Sequence, residues 1–297
     1  MNDLSGLSTI LKSRRVEVSE EVYEEKANEH RGYDTIERNE DGTLKEWAAK
    51  DAAFETPQPL MLKKGLVEAG YDTGKWQTWF DAVPPGEDFI IFGAGASVLN
   101  QPLHLLNGKI VYGINWTLKW FNPTFLQIID DEPYMTQVRE NKEWNAGISA
   151  DVQLVTSIQC KKKNCGDPPH GNEVLDFRIR QSSNPQNMCD FAFAETPTEI
   201  MTWYANSLGY ALNVAYLFKP KRIIIMGMDF GGAHFFGDGR AAGSMCHYGM
   251  EGNNKKRLVT DLEQEYAELI ERGQEVIQVG ESKLNVFPKV ASLEEIM

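Results

Sequence analysis

Residues 88–97 read DFIIFGAGAS. Four large apolar residues run without a polar break into a turn carrying Gly93 and Gly95. A strand buried on one face alternates apolar with polar, whereas an unbroken run is expected of a parallel strand covered on both faces. Working outward, the same signature recurs at residues 109–115 (KIVYGIN), 124–130 (TFLQIID), 151–157 (DVQLVTS) and 275–280 (EVIQVG). It is strongest at residues 222–230, RIIIMGMDF. A helix is expected from about residue 198 to 218, running through KPK at 219–221 into that strand. Another is expected at 255–272, where apolar residues fall near every third or fourth position. Strands alternating with helices predict an α/β fold, a Rossmann-like, doubly wound and mostly parallel sheet. There is no internal repeat.

The chain ahead of this region differs in character. Residues 1–57 hold 14 acidic against 8 basic residues, nearly half of the net charge of −13. VSEEVYEEKANEH, residues 18–30, reads as helical with Ser19 as N-cap. The segment has too few large apolar residues to fold alone, so it is expected to be an N-terminal helical extension serving as a docking arm, or a partly disordered tail. Residues 58–86 are expected to be a helical linker, broken at 70–74 and closed by PPG at 84–86. The remainder, 87–297, is expected to form the Rossmann-like domain, with an irregular insertion around 157–197.

Composition narrows the functional classes. A chain of 297 residues with 42% apolar and 25% charged residues is ordinary globular material. Charged residues interrupt every apolar run short of the roughly 18–20 residues a membrane span needs. The acidic balance opposes non-specific binding to nucleic acid, whose affinity is drawn from clustered Lys and Arg. Basic residues follow the first apolar stretch instead of preceding it, and four cysteines are too few for a secreted disulfide scaffold. A cytoplasmic protein is expected, with self-association left open. Cys160, Cys165, His170 and Cys189 depart from zinc-ligand spacing, and the lysines at 161–163 would repel a cation, so no metal site is assigned.

The chemistry is expected at the strand ends, where open α/β sheets bind ligands. Gly93, Gly95 and Ser97 follow the first strand, where glycine lets backbone amides approach phosphate or ribose. The missing third glycine disfavours NAD. Asn115 closes the second strand and offers both a donor and an acceptor. Asp130 closes the third, beside Asp131. Asp229 stands at the end of the strongest strand, where a carboxylate is costly unless paired or used. Ser207 and Gly209 lie in the preceding helical run, Gly209 marking either the start of a second helix facing the crevice or close helix packing. Residues 231–249 are glycine-rich and aromatic, as lids and binding loops are. They hold His234 and His247, candidates for general base, with Arg240 able to neutralise a phosphate.

In order and spacing, G-x-G-x-S after a strand, a strand ending in Asn115, a helix with Leu-Gly, then I-x-x-x-G-x-D-F and a loop with His247-Tyr248 resemble a known set of enzymes. They are the bacterial sialyltransferases of glycosyltransferase family 42, with related motility-accessory-factor and hydroxymethylpterin-pyrophosphokinase-like proteins that also occur in phage genomes. The resemblance covers roughly residues 89–288. It implies a metal-independent, inverting transfer from a nucleotide sugar to a hydroxyl acceptor that the sequence does not identify, in the cytoplasm of a phage-infected host cell for a phage member. It also implies that Gly93, Gly95, Ser97 and Asn115 hold the nucleotide and that Asp229 organises the site. Met250 or Glu251 stands where the family carries its catalytic histidine, so either His247 or His234 is expected to serve instead, or the acceptor and chemistry differ. The pyrophosphokinase-like relatives imply an alternative with Mg²⁺ held by Asp130 and Asp229. A nucleotide-binding fold retained as a virion-associated interaction module is the third.

Overall fold

The computed structural model describes residues 20–21, 79–81, 83–119, 122–128, 153–157, 174–177, 179–180, 201–202, 207–230 and 253–297. Apart from helical Glu20 and Glu21, the acidic arm lies outside the described residues, as does the linker before helical Trp79, Phe80 and Asp81.

The core is a parallel sheet. In chain order its strands are β1 (Asp88–Phe92), β2 (Ile110–Ile114), β3 (Phe125–Ile128), β4 (Gln153–Ser157) and β5 (Val174–Phe177), then β8 (Arg222–Met226), β9 (Glu275–Val279) and β10 (Lys289–Val290). A separate short pair joins β6 (Ile179–Arg180) to β7 (Met201–Thr202). Strand order across the sheet is β10-β9-β8-β1-β2-β3-β4-β5, and every described pairing is parallel. The chain therefore steps outward from β1 to β5, then returns to the other side of β1. This reversal opens a crevice between the carboxyl ends of β1 and β8.

Both faces are covered, which explains the unbroken apolar runs. Ile90, Phe92, Val111, Ile224 and Met226 face a layer of 3-10 turns at Ala96–Asn100 and Leu103–Leu106, together with the C-terminal Leu293. Phe89, Ile91, Tyr112, Phe125, Ile223 and Ile225 face helices α1 (Ser207–Leu217) and α2 (Asn253–Glu271). Helix α1 packs on the sheet and on α2, so it is apolar almost all round, with Leu208, Ala211, Leu212, Val214 and Ala215 buried. Phe218 just beyond it meets Phe89 at 5.0 Å and Phe125 at 5.2 Å between ring centroids, and Trp79 packs edge-on against Phe125 at 5.5 Å. Such pairs add roughly 0.5–1.5 kcal/mol each beyond their burial.

The amino ends are also tied. Arg222 donates to both oxygens of Asp88, at 2.9 and 2.6 Å, and to the carbonyl of Ile296 at 3.0 Å, fastening the C-terminal turn to the base of β1 and β8.

Three expectations are corrected. Within the stretch expected to be helical from about residue 198, Met201–Thr202 is paired as a strand with Ile179–Arg180, and α1 is described from Ser207. The stretch expected to be irregular contains β5, which pairs with β4. Asn115 does not end a strand but starts a 3-10 turn, Asn115–Lys119, in a left-handed conformation with φ 49°. No helix among the described residues is long and apolar enough to cross a membrane.

Candidate functional site

The tips of β1 and β8 interlock. Beyond the last strand pairs, Gly93 N–H donates to the Met226 carbonyl at 2.8 Å and Gly95 N–H to that of Gly227 at 2.7 Å. This contact needs glycine. A Cβ on Gly93 would stand 2.4 Å from the Gly227 oxygen and 2.3 Å from Met228 Sδ, and one on Gly95 within 2.6 Å of both carboxylate oxygens of Asp229. Gly227 itself has φ +61° and would strike the Gly93 carbonyl. The space freed by the G-x-G turn is thus filled by the neighbouring strand's tip. The amides of Gly93 and Gly95 are given to that neighbour.

Asp229 is 4% exposed and holds this junction together. One carboxylate oxygen accepts from Ser97 N–H at 2.8 Å, the other from the Ser97 hydroxyl in a short bond. Burial pushes its pKa up to about 6; the two Ser97 bonds act the other way, and the charge of Glu281 raises it further. Behind it, β9 and the segment after it clamp the same backbone. Ser282 Oγ and Gln278 Nε2 donate to the Met228 carbonyl at 2.9 and 3.2 Å, and Lys283 N–H donates to that of Asp229 at 2.9 Å.

Strand β2 is fixed to β1 by Thr117, whose hydroxyl lies 3.1 Å from the carbonyls of both Phe92 and Ile114. Deeper in the sheet, the Tyr112 hydroxyl donates to Gln127 Oε1 at 2.7 Å, and Gln127 Nε2 donates to the Ser207 carbonyl at 2.8 Å. Burial drives the Tyr112 pKa upward, keeping the phenol protonated as this bond requires. The relay pins the start of α1 against β2 and β3.

These devices enclose a cavity of about 190 Å³ at the carboxyl ends of β1, β2 and β8. It is lined by Gly93, Ala94, Gly95, Ile114, Asn115, Trp116, Ser207, Gly227, Met228, Asp229 and Phe230. Asn115 Oδ1 is buried there with no hydrogen-bond partner among the described residues. Two lining residues carry left-handed backbone, Asn115 and Phe230, the latter with φ 53°. A bulky aromatic in that region is strained, and such strain gathers at ligand sites.

Of the residues singled out in the sequence, Gly93, Gly95, Asn115, Ser207 and Asp229 thus meet at one cavity. Two do not line it. Ser97 stands behind Asp229 with both its N–H and its hydroxyl given to that carboxylate. Gly209 falls in the first turn of α1, away from the lining. Asp130, His234, Arg240, His247 and Tyr248 lie outside the described residues, as do Cys160, Cys165, His170 and Cys189. Among the described residues no cluster of three or more His, Cys, Asp or Glu is disposed to hold a metal ion. Sequence reasoning missed Thr117, Tyr112, Gln127 and Gln278. Gln127 and Gln278 were findable, because a glutamine inside an otherwise apolar buried run needs a partner.

Comparison of the chain with protein-family models, curated proteins and solved structures finds no match.

Proposed function

We propose that the chain is a transferase acting on a nucleotide-activated sugar, its sheet a Rossmann-like, doubly wound frame and its cavity the seat of the nucleotide donor. One observation carries the reading: residues from β1, β2, β8 and the start of α1 converge at the chain-reversal crevice, where open α/β sheets take their ligands. The unpartnered Asn115 carbonyl and the strained Phe230 add to it, since both are costly features that a bound ligand would turn to use.

In this reading Asp229 organises the site. Bonded to Ser97 through both oxygens, it fixes the β1 tip relative to β8 and keeps the cavity open. The chemical step is transfer of the sugar to an acceptor hydroxyl. His247 takes the proton as the oxygen attacks the anomeric carbon, the bond to phosphate breaks, and the nucleotide leaves with the electron pair. Arg240 and Tyr248 stabilise the departing phosphate. No metal takes part.

A melting-temperature screen of the full chain with nucleotides and nucleotide sugars tests the reading. A ligand at 100 times its Kd stabilises the native state by roughly 2.7 kcal/mol, so at least one compound should raise Tm by several degrees. A flat response to the whole panel would contradict it.

A further inference from the structure

We infer that the cavity seats the hydroxyl face of a sugar ring and that the phosphate groups of the ligand lie outside it. This deepens the nucleotide-sugar reading and rests on it. The argument is one of polarity. Among the side chains of the lining residues, Asn115 Oδ1, buried without a partner, and the nearly buried Asp229 carboxylate are hydrogen-bond acceptors, with Asn115 Nδ2 a neutral donor beside them. Ser207 adds a hydroxyl that serves either way. The amides of Gly93 and Gly95, which a phosphate loop would aim at its ligand, are already given to Met226 and Gly227. No Lys, Arg or His is among the described lining residues.

A phosphate brings further acceptors and negative charge to such a place, against a buried carboxylate, and no described lining side chain carries a positive charge to answer it. A sugar hydroxyl answers both acceptors by donating. Ile114, Trp116, Met228 and Phe230 supply apolar surface of the kind that packs on the C–H side of a ring. Size agrees. At about 190 Å³ the cavity is below the roughly 300–1,000 Å³ of pockets that enclose a drug-sized ligand, so it takes one moiety of a nucleotide sugar and not the whole molecule. The ring is either the ribose of the nucleotide or the sugar to be transferred; the chemistry of recognition is the same.

Calorimetry on the full chain separates these sources. The probes are UMP, CMP, AMP and GMP, their 2′-deoxy counterparts, UDP-glucose against UDP, and inorganic pyrophosphate. The variant is Asn115→Gly, which deletes the amide while tolerating φ 49° without strain. If ribose is the ring, the parent binds a ribonucleotide at least tenfold more tightly than its 2′-deoxy form, and Asn115→Gly brings that ratio to within about threefold. If the transferred sugar is the ring, ribo and deoxy forms bind alike, and the preference for UDP-glucose over UDP falls in the variant. In both cases pyrophosphate affinity is unchanged, and Asn115→Asp, which keeps an acceptor, retains the preference. The inference is overturned if nucleotides bind the parent but Asn115→Gly alters no preference, or if it weakens pyrophosphate as much as nucleotides. Failure of the parent to bind any nucleotide instead overturns the nucleotide reading itself, and this inference with it.

Discussion

Exchanging Asp229 for asparagine should stabilise the protein at neutral pH. In the folded chain burial raises this carboxyl from 3.8 to about 6 despite its bonds to Ser97. The folded state therefore holds its proton more tightly than the unfolded state does. That contribution is fully present below pH 3.8 and is lost as pH rises through about 6. The shift corresponds to roughly 3 kcal/mol. Asparagine is nearly isosteric and neutral. Its oxygen can accept from Ser97 N–H as the carboxylate does at 2.8 Å, and its amide can donate to Ser97 Oγ, reversing the second bond. Asp229→Asn should thus exceed the parent in stability by about 1–3 kcal/mol at pH 7, the gap closing toward pH 4. Urea unfolding at pH 4, 5, 6 and 7, read as the midpoint at unchanged m, measures it. A variant less stable than the parent at pH 7, or a gap independent of pH, would refute the reasoning. Under the proposed function the same exchange weakens donor binding, the usual conflict between stability and activity.

Four other substitutions probe the frame. Gly93→Ala puts a Cβ 2.4 Å from a backbone carbonyl that cannot swing aside and should cost about 2–3 kcal/mol. Gly108→Ala, at φ +73° in open space, should cost only about 1 kcal/mol; equal losses in thermal melts would deny the interlock of β1 and β8. Tyr112→Phe leaves Gln127 Oε1 buried without its donor and should cost about 1–3 kcal/mol in urea unfolding. No loss would mean that the relay to α1 is idle. Arg222→Ala removes both bonds to Asp88 and the one to Ile296. It should lower stability by about 1–3 kcal/mol and hasten amide exchange in the last turn, Leu293–Glu295.

The central strands were legible because burial on both faces writes itself as an unbroken apolar run, and Asp229 was legible because a carboxylate ending such a run is anomalous. What escaped depends on partners distant in sequence. Val174–Phe177 is short and carries a polar Asp176, so only its pairing with β4 makes it a strand. Met201–Thr202 sits in a locally helix-compatible stretch, yet is paired with Ile179–Arg180. Thr117 and Tyr112 matter through carbonyl and amide partners on neighbouring strands, and no local pattern announces those. The glycines were legible, but not that the Cβ-sized space they free faces Asp229 and Gly227, a fact of strand register.

The most direct test is a crystal structure of the chain soaked with the nucleotide or nucleotide sugar that gives the largest rise in melting temperature. The account predicts a sugar ring between Asn115 and Asp229, hydroxyls toward their oxygens, with the phosphates outside. A ligand bound elsewhere on the sheet, or a phosphate lodged against Asp229, would contradict it.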